Sequence, residues 1–355
     1  MHTRGQRPTM FKDGEARLMW AKAVEAAVMQ KDAQGNVPDT PLAGLPLVGS
    51  EQLDMMVEAA GALCELADGD VAMQDAIIRS GGVMPLLALF RSSHELAQEH
   101  AASCVGHLCQ EYRNQKTLCA QGILGEVVTL LKHGSPNAQA AAAAGLAELA
   151  RGGVLERQTR GLGATDMADR GVGPDDRLVA IAEAGALPPL IAMLSSGILL
   201  GKEKAAACLW HLALDEGNMN AIARANSGIP PIVALLDSNS ATEQTYEFAA
   251  SALTRLSLND AENQTQIAKR LVAQLSAGSA GAQERSARAI WNLAADQAES
   301  PVVILNAGAL LPLVRMLSSG AGEARRAASG ALSTLAKSSQ QAQQAIAAGL
   351  VGILG

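Results

Sequence analysis

Three side chains in this 355-residue sequence have a spacing that suits a metal. His100, Cys104 and His107, at i, i+4 and i+7, would share one face of a helix. Cys104 also falls in register with Cys208, which has no such set around it. Close packing explains both cysteines, and no metal is expected. Two Gly-x-Gly fragments, Gly161-Leu-Gly163 and Gly171-Val-Gly173, lack the preceding strand and following helix that a phosphate cradle requires. Neither a G-x-S-x-G elbow nor an H-E-x-x-H pair occurs. Acids such as Glu65 and Glu148 recur at a long, regular spacing that sets them along a ridge, not face to face as a general acid and base. The reading is no catalysis, no cofactor and no metal.

Charge narrows the partners. The formal net charge is −7, and residues 1–31 hold six Lys/Arg against three acids, leaving −10 for the rest. Phosphate backbones need clustered cations, and single strands need stacking aromatics. Arg325-Arg326 is a small basic patch and only eight residues are aromatic, so nucleic acid is not an expected partner. The longest uncharged run, residues 184–201, contains Pro188, Pro189, two Ser and three Gly, which suits a helical corner better than a membrane span. Residues 1–31 lack an apolar signal core. Five cysteines, an odd number without a disulfide-framework spacing, suit a reducing compartment. The chain is expected in the cytoplasm, with the nucleus open.

The elements that would position any functional side chain come from a repeat. Seven small-residue runs close on Leu66, Leu108, Leu149, Leu212, Leu256, Leu293 and Leu335, at steps of 42, 41, 63, 44, 37 and 42 residues. Shorter apolar segments end at Phe90, Leu131, Leu194, Leu236, Leu275 and Leu317, and five of the six lie 18 residues before their partner Leu. A Gly usually precedes the shorter segment and Pro often follows it, as in EAGALPPL and NSGIPPI. Gly fits a helix C-cap and Pro the first turn of the next helix. Each unit therefore reads as a short helix, a sharp corner, a second helix, a loop and a third helix. Self-similarity near 40 residues marks a stacked helical solenoid. Ser135-Pro136 and the capping-box spacing of Ser240 to Glu243 mark starts of third helices. Small residues four before each closing Leu, including Cys104, Gly145 and Cys208, would let neighbouring helices approach closely.

GALPPLIAML (185–194) followed by KAAACLWHLA (204–213), with AIWNLA (289–294) and the repeat at 308–336, resembles the armadillo repeat. The resemblance covers roughly residues 39–355, as about seven repeats plus a truncated eighth, and is nearer to plant- and protist-type scaffold arrays than to import adaptors. It implies an all-α, right-handed superhelical solenoid whose third helices line a concave peptide-binding groove. Carried over by position, the residues before the closing leucines face that groove: Glu65, His107, Glu148, His211, Arg255, Asn292 and Thr334. Two turns earlier the same face presents Glu99, Glu203, Glu247, Glu284 and Arg326, and Arg288 lies between the two rows. The family often has Asn in the first row, and import adaptors pair it with a Trp four residues earlier; here only Asn292 remains, and Trp210 and Trp291 directly precede the groove position and are expected to pack between layers.

Residues 1–38 read as an extension with a capping helix, and 151–177, rich in Gly, Asp and Arg, as a flexible insertion between the third and fourth repeats. The expected function is a protein-protein interaction scaffold or adaptor. Its ligand would be an extended peptide or partner protein, basic towards the N-terminal half, where glutamates dominate the face. Arg288, Arg325 and Arg326 shift the sign later and would suit an acidic stretch. Two other classes stay open: a structural component of a ciliary or cytoskeletal assembly, and a substrate receptor in a ubiquitin-ligase system. The closing AGLVGILG, which stops inside a second helix, suggests end-to-end self-association.

Overall fold

A computed structural model describes residues 50–159, 176–224, 228–237, 241–258, 260–296, 299–338 and 340–354. The 1–38 extension lies outside them. The described residues form nineteen helices and no strand, as the repeat pattern requires. The chain divides into two compact units, Met1–Leu130 and Leu131–Gly355.

In the first unit, α1 (Ser50–Ala67) is a third helix. A repeat follows as α2 (Val71–Arg79), α3 (Val83–Leu89) and α4 (Glu95–Leu108). The next begins with α5 (Tyr112–Ala120) and α6 (Ile123–His133), within which the division falls. The two third helices, α1 and α4, pack side by side.

In the second unit, α7 (Pro136–Thr159) is a third helix. It is followed by α8 (Arg177–Glu183), α9 (Leu187–Ser196) and α10 (Leu199–Leu212), then by α11 (Glu216–Arg224), α12 (Ile229–Leu235) and α13 (Glu243–Leu256). After these come α14 (Ala261–Ala277), α15 (Ala280–Asp296), α16 (Ser300–Asn306), α17 (Leu310–Ser319), α18 (Gly322–Ala336) and α19 (Gln340–Leu354). The third helices α7, α10, α13, α15 and α18 pack each on the next.

Glycine makes the corner. Gly185 and Gly308 adopt φ of 85° and 90°, a left-handed conformation that side chains resist. There α8 and α9 bend by 76°, and α16 and α17 by 82°. Gly81 and Gly122 do the same. The sequence 261–277 has no such glycine, and there the first and second helices fuse into the single helix α14. The closing AAGL also stays helical within α19, so the expected corner does not form. Among the described residues no single helix is long and apolar enough to cross a membrane.

The core is aliphatic. Leu108, Leu149, Leu212, Leu256 and Leu335 are all fully buried, whereas Leu66 is half-buried. Cys104 and Cys208 are buried in the small-residue row, and burial pushes the pKa of both thiols up. Residues 151–159, assigned to a flexible insertion from composition, instead continue α7. The physical reason is packing: Gly152 and Gly153 are buried, Leu178 lies against Gly153, and Arg177 Nη2 donates to Glu156 Oε2 at 2.8 Å. The remainder of that segment up to Gly173, Pro174 and Asp175 lies outside the described residues.

Start signals of the first helices escape the repeat pattern. Asp70, Asp176 and Asp260 are N-caps whose carboxylates accept from backbone N–H groups, and Asp215 accepts likewise from Asn218. At α13 the cap is Thr242, whose hydroxyl accepts from Thr245 N–H at 3.2 Å; Ser240, the expected cap, lies outside the described residues. Ser135 caps α7 as expected. Buried amides then tie layers together. Gln74 donates to Ala67 O at 2.8 Å, and Asn218, 5% exposed, donates to Leu178 O at 2.9 Å. Asn218→Leu should destabilise the second unit by about 0.5–1.5 kcal/mol, because it removes a buried hydrogen bond between layers. Chemical denaturation checks this, and an unchanged midpoint would contradict the link.

Candidate functional site

Thirteen side chains were expected on the third-helix face, and the structure engages them unequally. In the first unit Glu65 is exposed, while Glu99 and His107 are half-buried. His107 Nδ1 lies 3.5 Å from Asp68 Oδ1, a link between α4 and the end of α1. His100, Cys104 and His107 do not act together. His100 Nδ1 lies 3.2 Å from Val57 O, Cys104 is buried, and His107 is with Asp68. His100 sits where Gly61 has no side chain; a Cβ there would be 2.8 Å from its Nδ1. Among the described residues no three His, Cys, Asp or Glu are grouped to hold a metal ion.

In the second unit most of the charged candidates are already paired. Glu148 accepts from Arg151 Nη2 at 2.7 Å, one turn on. The Glu203 carboxylate, only 12% exposed, accepts from Thr242 Oγ1 at 2.8 Å and from Lys204 Nζ at 3.2 Å. Thr242 precedes α13, so this acid is a tie between layers. Arg288 bridges Glu284, at 3.0 Å on its own helix, and Glu243 on α13. Burial alone would lower the Arg288 pKa, but the hydrogen bond and charge of Glu243, then those of Glu284, raise it. Arg326 pairs with Glu323, and Thr334 Oγ1 donates back to Gly330 O at 3.0 Å.

His211 is interior. It is 9% exposed, its ring centroid lies 4.5 Å from that of Trp210, and burial followed by the charge of Arg151 pushes its pKa down to about 4. Beside it, Trp210 stacks on Phe248 of α13 at 5.6 Å, as expected for a residue between layers. Trp291 lies over Gly330 of α18, where a Cβ would come within 2.7 Å of its ring, yet 36% of Trp291 stays exposed.

Four of the expected residues, Glu65, Glu247, Arg255 and Asn292, make no side-chain hydrogen bond or ion pair among the described residues. Two of these converge. Between α13 and α15 a pocket of about 220 Å³ is lined by Tyr246, Glu247, Ser251, Arg285, Arg288 and Asn292, among others. Glu247 and Asn292 are exposed, and Ser251 also has an unengaged hydroxyl among the described residues. Glu247 and Ser251, one turn apart on α13, and Asn292 of α15 together line the pocket with carboxylate, hydroxyl and amide, a set that accepts and donates hydrogen bonds at once.

Arg285 was not among the expected residues. Its Nε donates to Leu236 O at 2.6 Å and its guanidinium lies 4.0 Å over the Tyr246 ring. The available signal was position: it stands eight before its closing Leu, as His100, Lys204 and Phe248 do, and that row faces the preceding layer.

Residues 70–110 and 174–214 match the armadillo/beta-catenin-like repeat. An engineered protein of known crystal structure is similar over 93% of this chain and 71% of its own, with 24% identity and a TM-score of 0.62. A second engineered protein matches over 72% of this chain and 98% of its own, at 22% identity and a TM-score of 0.52. A designed armadillo repeat protein in complex with peptide (KR)4 matches 81% of this chain and 96% of its own, at 19% identity and a TM-score of 0.45. No curated protein matches the chain. The fold is thus the all-helical repeat solenoid that the spacing of the closing leucines implies.

Proposed function

We propose that this armadillo repeat protein is a protein-protein interaction scaffold, and not an enzyme, that holds an extended peptide segment against its third helices. The observation that carries the reading is the pocket between α13 and α15, where Glu247, Ser251 and Asn292 converge with no partner among the described residues. Elsewhere on the third helices of the second unit, Glu148, Glu203 and Arg326 are spent on neighbours. At about 220 Å³ the pocket is below the roughly 300–1,000 Å³ of small-molecule sites, and it suits one side chain of a longer ligand. The Asn292 amide, donor and acceptor together, can grip a peptide backbone beside it.

Charge gives the finer reading. Glu65, exposed in the first unit, favours a basic segment there. Glu203 contributes little to ligand choice, because Thr242 and Lys204 already occupy its carboxylate.

Displaying random peptides and selecting on the full chain tests this. Enriched peptides should weaken about tenfold with Asn292→Ala, the value of one or two neutral hydrogen bonds. No enriched peptide, or enrichment insensitive to Asn292→Ala and Ser251→Ala, would overturn the reading.

A further inference from the structure

We infer that the pocket between α13 and α15 receives a carboxylate, the side chain of an Asp or Glu in an extended peptide, and that Arg285 recognises it. The inference rests on the peptide-binding reading above and names the residue type it selects.

The pocket wall carries three charges, and they are not equally satisfied. Arg288 is answered twice, by Glu243 and Glu284. Glu247 is exposed, so water solvates it at little cost. Arg285 is different. It is half-buried, packed over Tyr246, and no carboxylate among the described residues pairs with it. Its Nε is used on Leu236 O, while its Nη2 is buried and makes no hydrogen bond. A cation withdrawn from water with an unmet donor leaves a larger deficit than an exposed carboxylate does. An incoming carboxylate supplies counter-charge to the guanidinium; because Nη2 is shut off from solvent, the side chain must turn toward the pocket for that donor to be met. A lysine would meet Glu247 but would add a third cation beside Arg285 and Arg288. Asn292 on the same wall would hold the adjoining peptide backbone.

The test uses the full chain and the peptides selected on it. Those peptides should carry an Asp or Glu, and its replacement by Asn or Gln should weaken binding about tenfold. Arg285→Gln should cost the same factor and make acidic and neutral peptides equivalent, whereas Arg285→Lys should retain part of the preference. Exposed Glu247→Gln keeps the test independent of folding. By removing a like charge it should strengthen acidic peptides a few-fold. Peptides that need Asn292 yet lack an acid, or that weaken with Glu247→Gln, would overturn the carboxylate assignment and leave the peptide reading standing. Loss of all peptide binding would instead strike that reading.

Discussion

Truncation of Leu212 to Ala is expected to destabilise the second unit by about 2–5 kcal/mol, as for other buried leucines. Leu212 is fully buried at the end of α10, a helix packed on α7, α9 and α13. It cannot be replaced by local collapse without disturbing three neighbours. For a unit of this size the melting temperature should fall by roughly 4–20 °C. Leu66, the first closing Leu of the chain, is only half-buried, so Leu66→Ala should cost distinctly less. Thermal melts of the two variants check both statements. An unchanged melt for Leu212→Ala, or equal losses at the two sites, would contradict the packing described.

Acid should expose the second large effect. His211 has its pKa pushed down to about 4 by burial and Arg151, against about 6.5 for a solvated imidazole. As the pH falls below 6.5 the unfolded chain takes up a proton that the folded chain refuses, so stability declines until about pH 4. The difference amounts to about 3 kcal/mol. Carboxylates titrate in part of the same range, which makes the comparison with His211→Gln the informative one. The stability advantage of the parent over this variant should shrink by about that amount between pH 7 and pH 4. Parallel profiles for the two proteins, or an imidazole that titrates near 6.5 by NMR, would contradict the burial of this ring.

Much of the architecture was legible because repeats amplify weak signals. The fixed offset to each closing Leu implied three helices per unit, and glycine corners form at Gly81, Gly122, Gly185 and Gly308. Failures were local and have local causes. Glycine alone does not force a corner, as the unbroken α19 shows, and its absence fuses the two helices of α14. Composition at 151–159 suggested a loop, but burial of Gly152 and Gly153 against the next layer keeps the helix going.

The face of the third helices was harder to read. Helical register puts Glu203, His211, Arg288 and Asn292 on one side of their helices, but what the neighbouring layer offers each of them is not written in that spacing. Thr242 and Lys204 take up Glu203, two glutamates take up Arg288, and the Trp210–Phe248 stack accompanies the withdrawal of His211. Arg285 escaped notice for the complementary reason. Its row looked like seam packing, and only the geometry reveals a cation without a counter-charge.

Site-specific photo-cross-linking of a selected peptide gives the most direct test of where ligands bind. A photoreactive residue at Asn292, on α15, should capture the peptide, whereas one at Lys269, exposed on α14, should not. Capture at Lys269 with none at Asn292 would place the binding surface elsewhere and contradict the account.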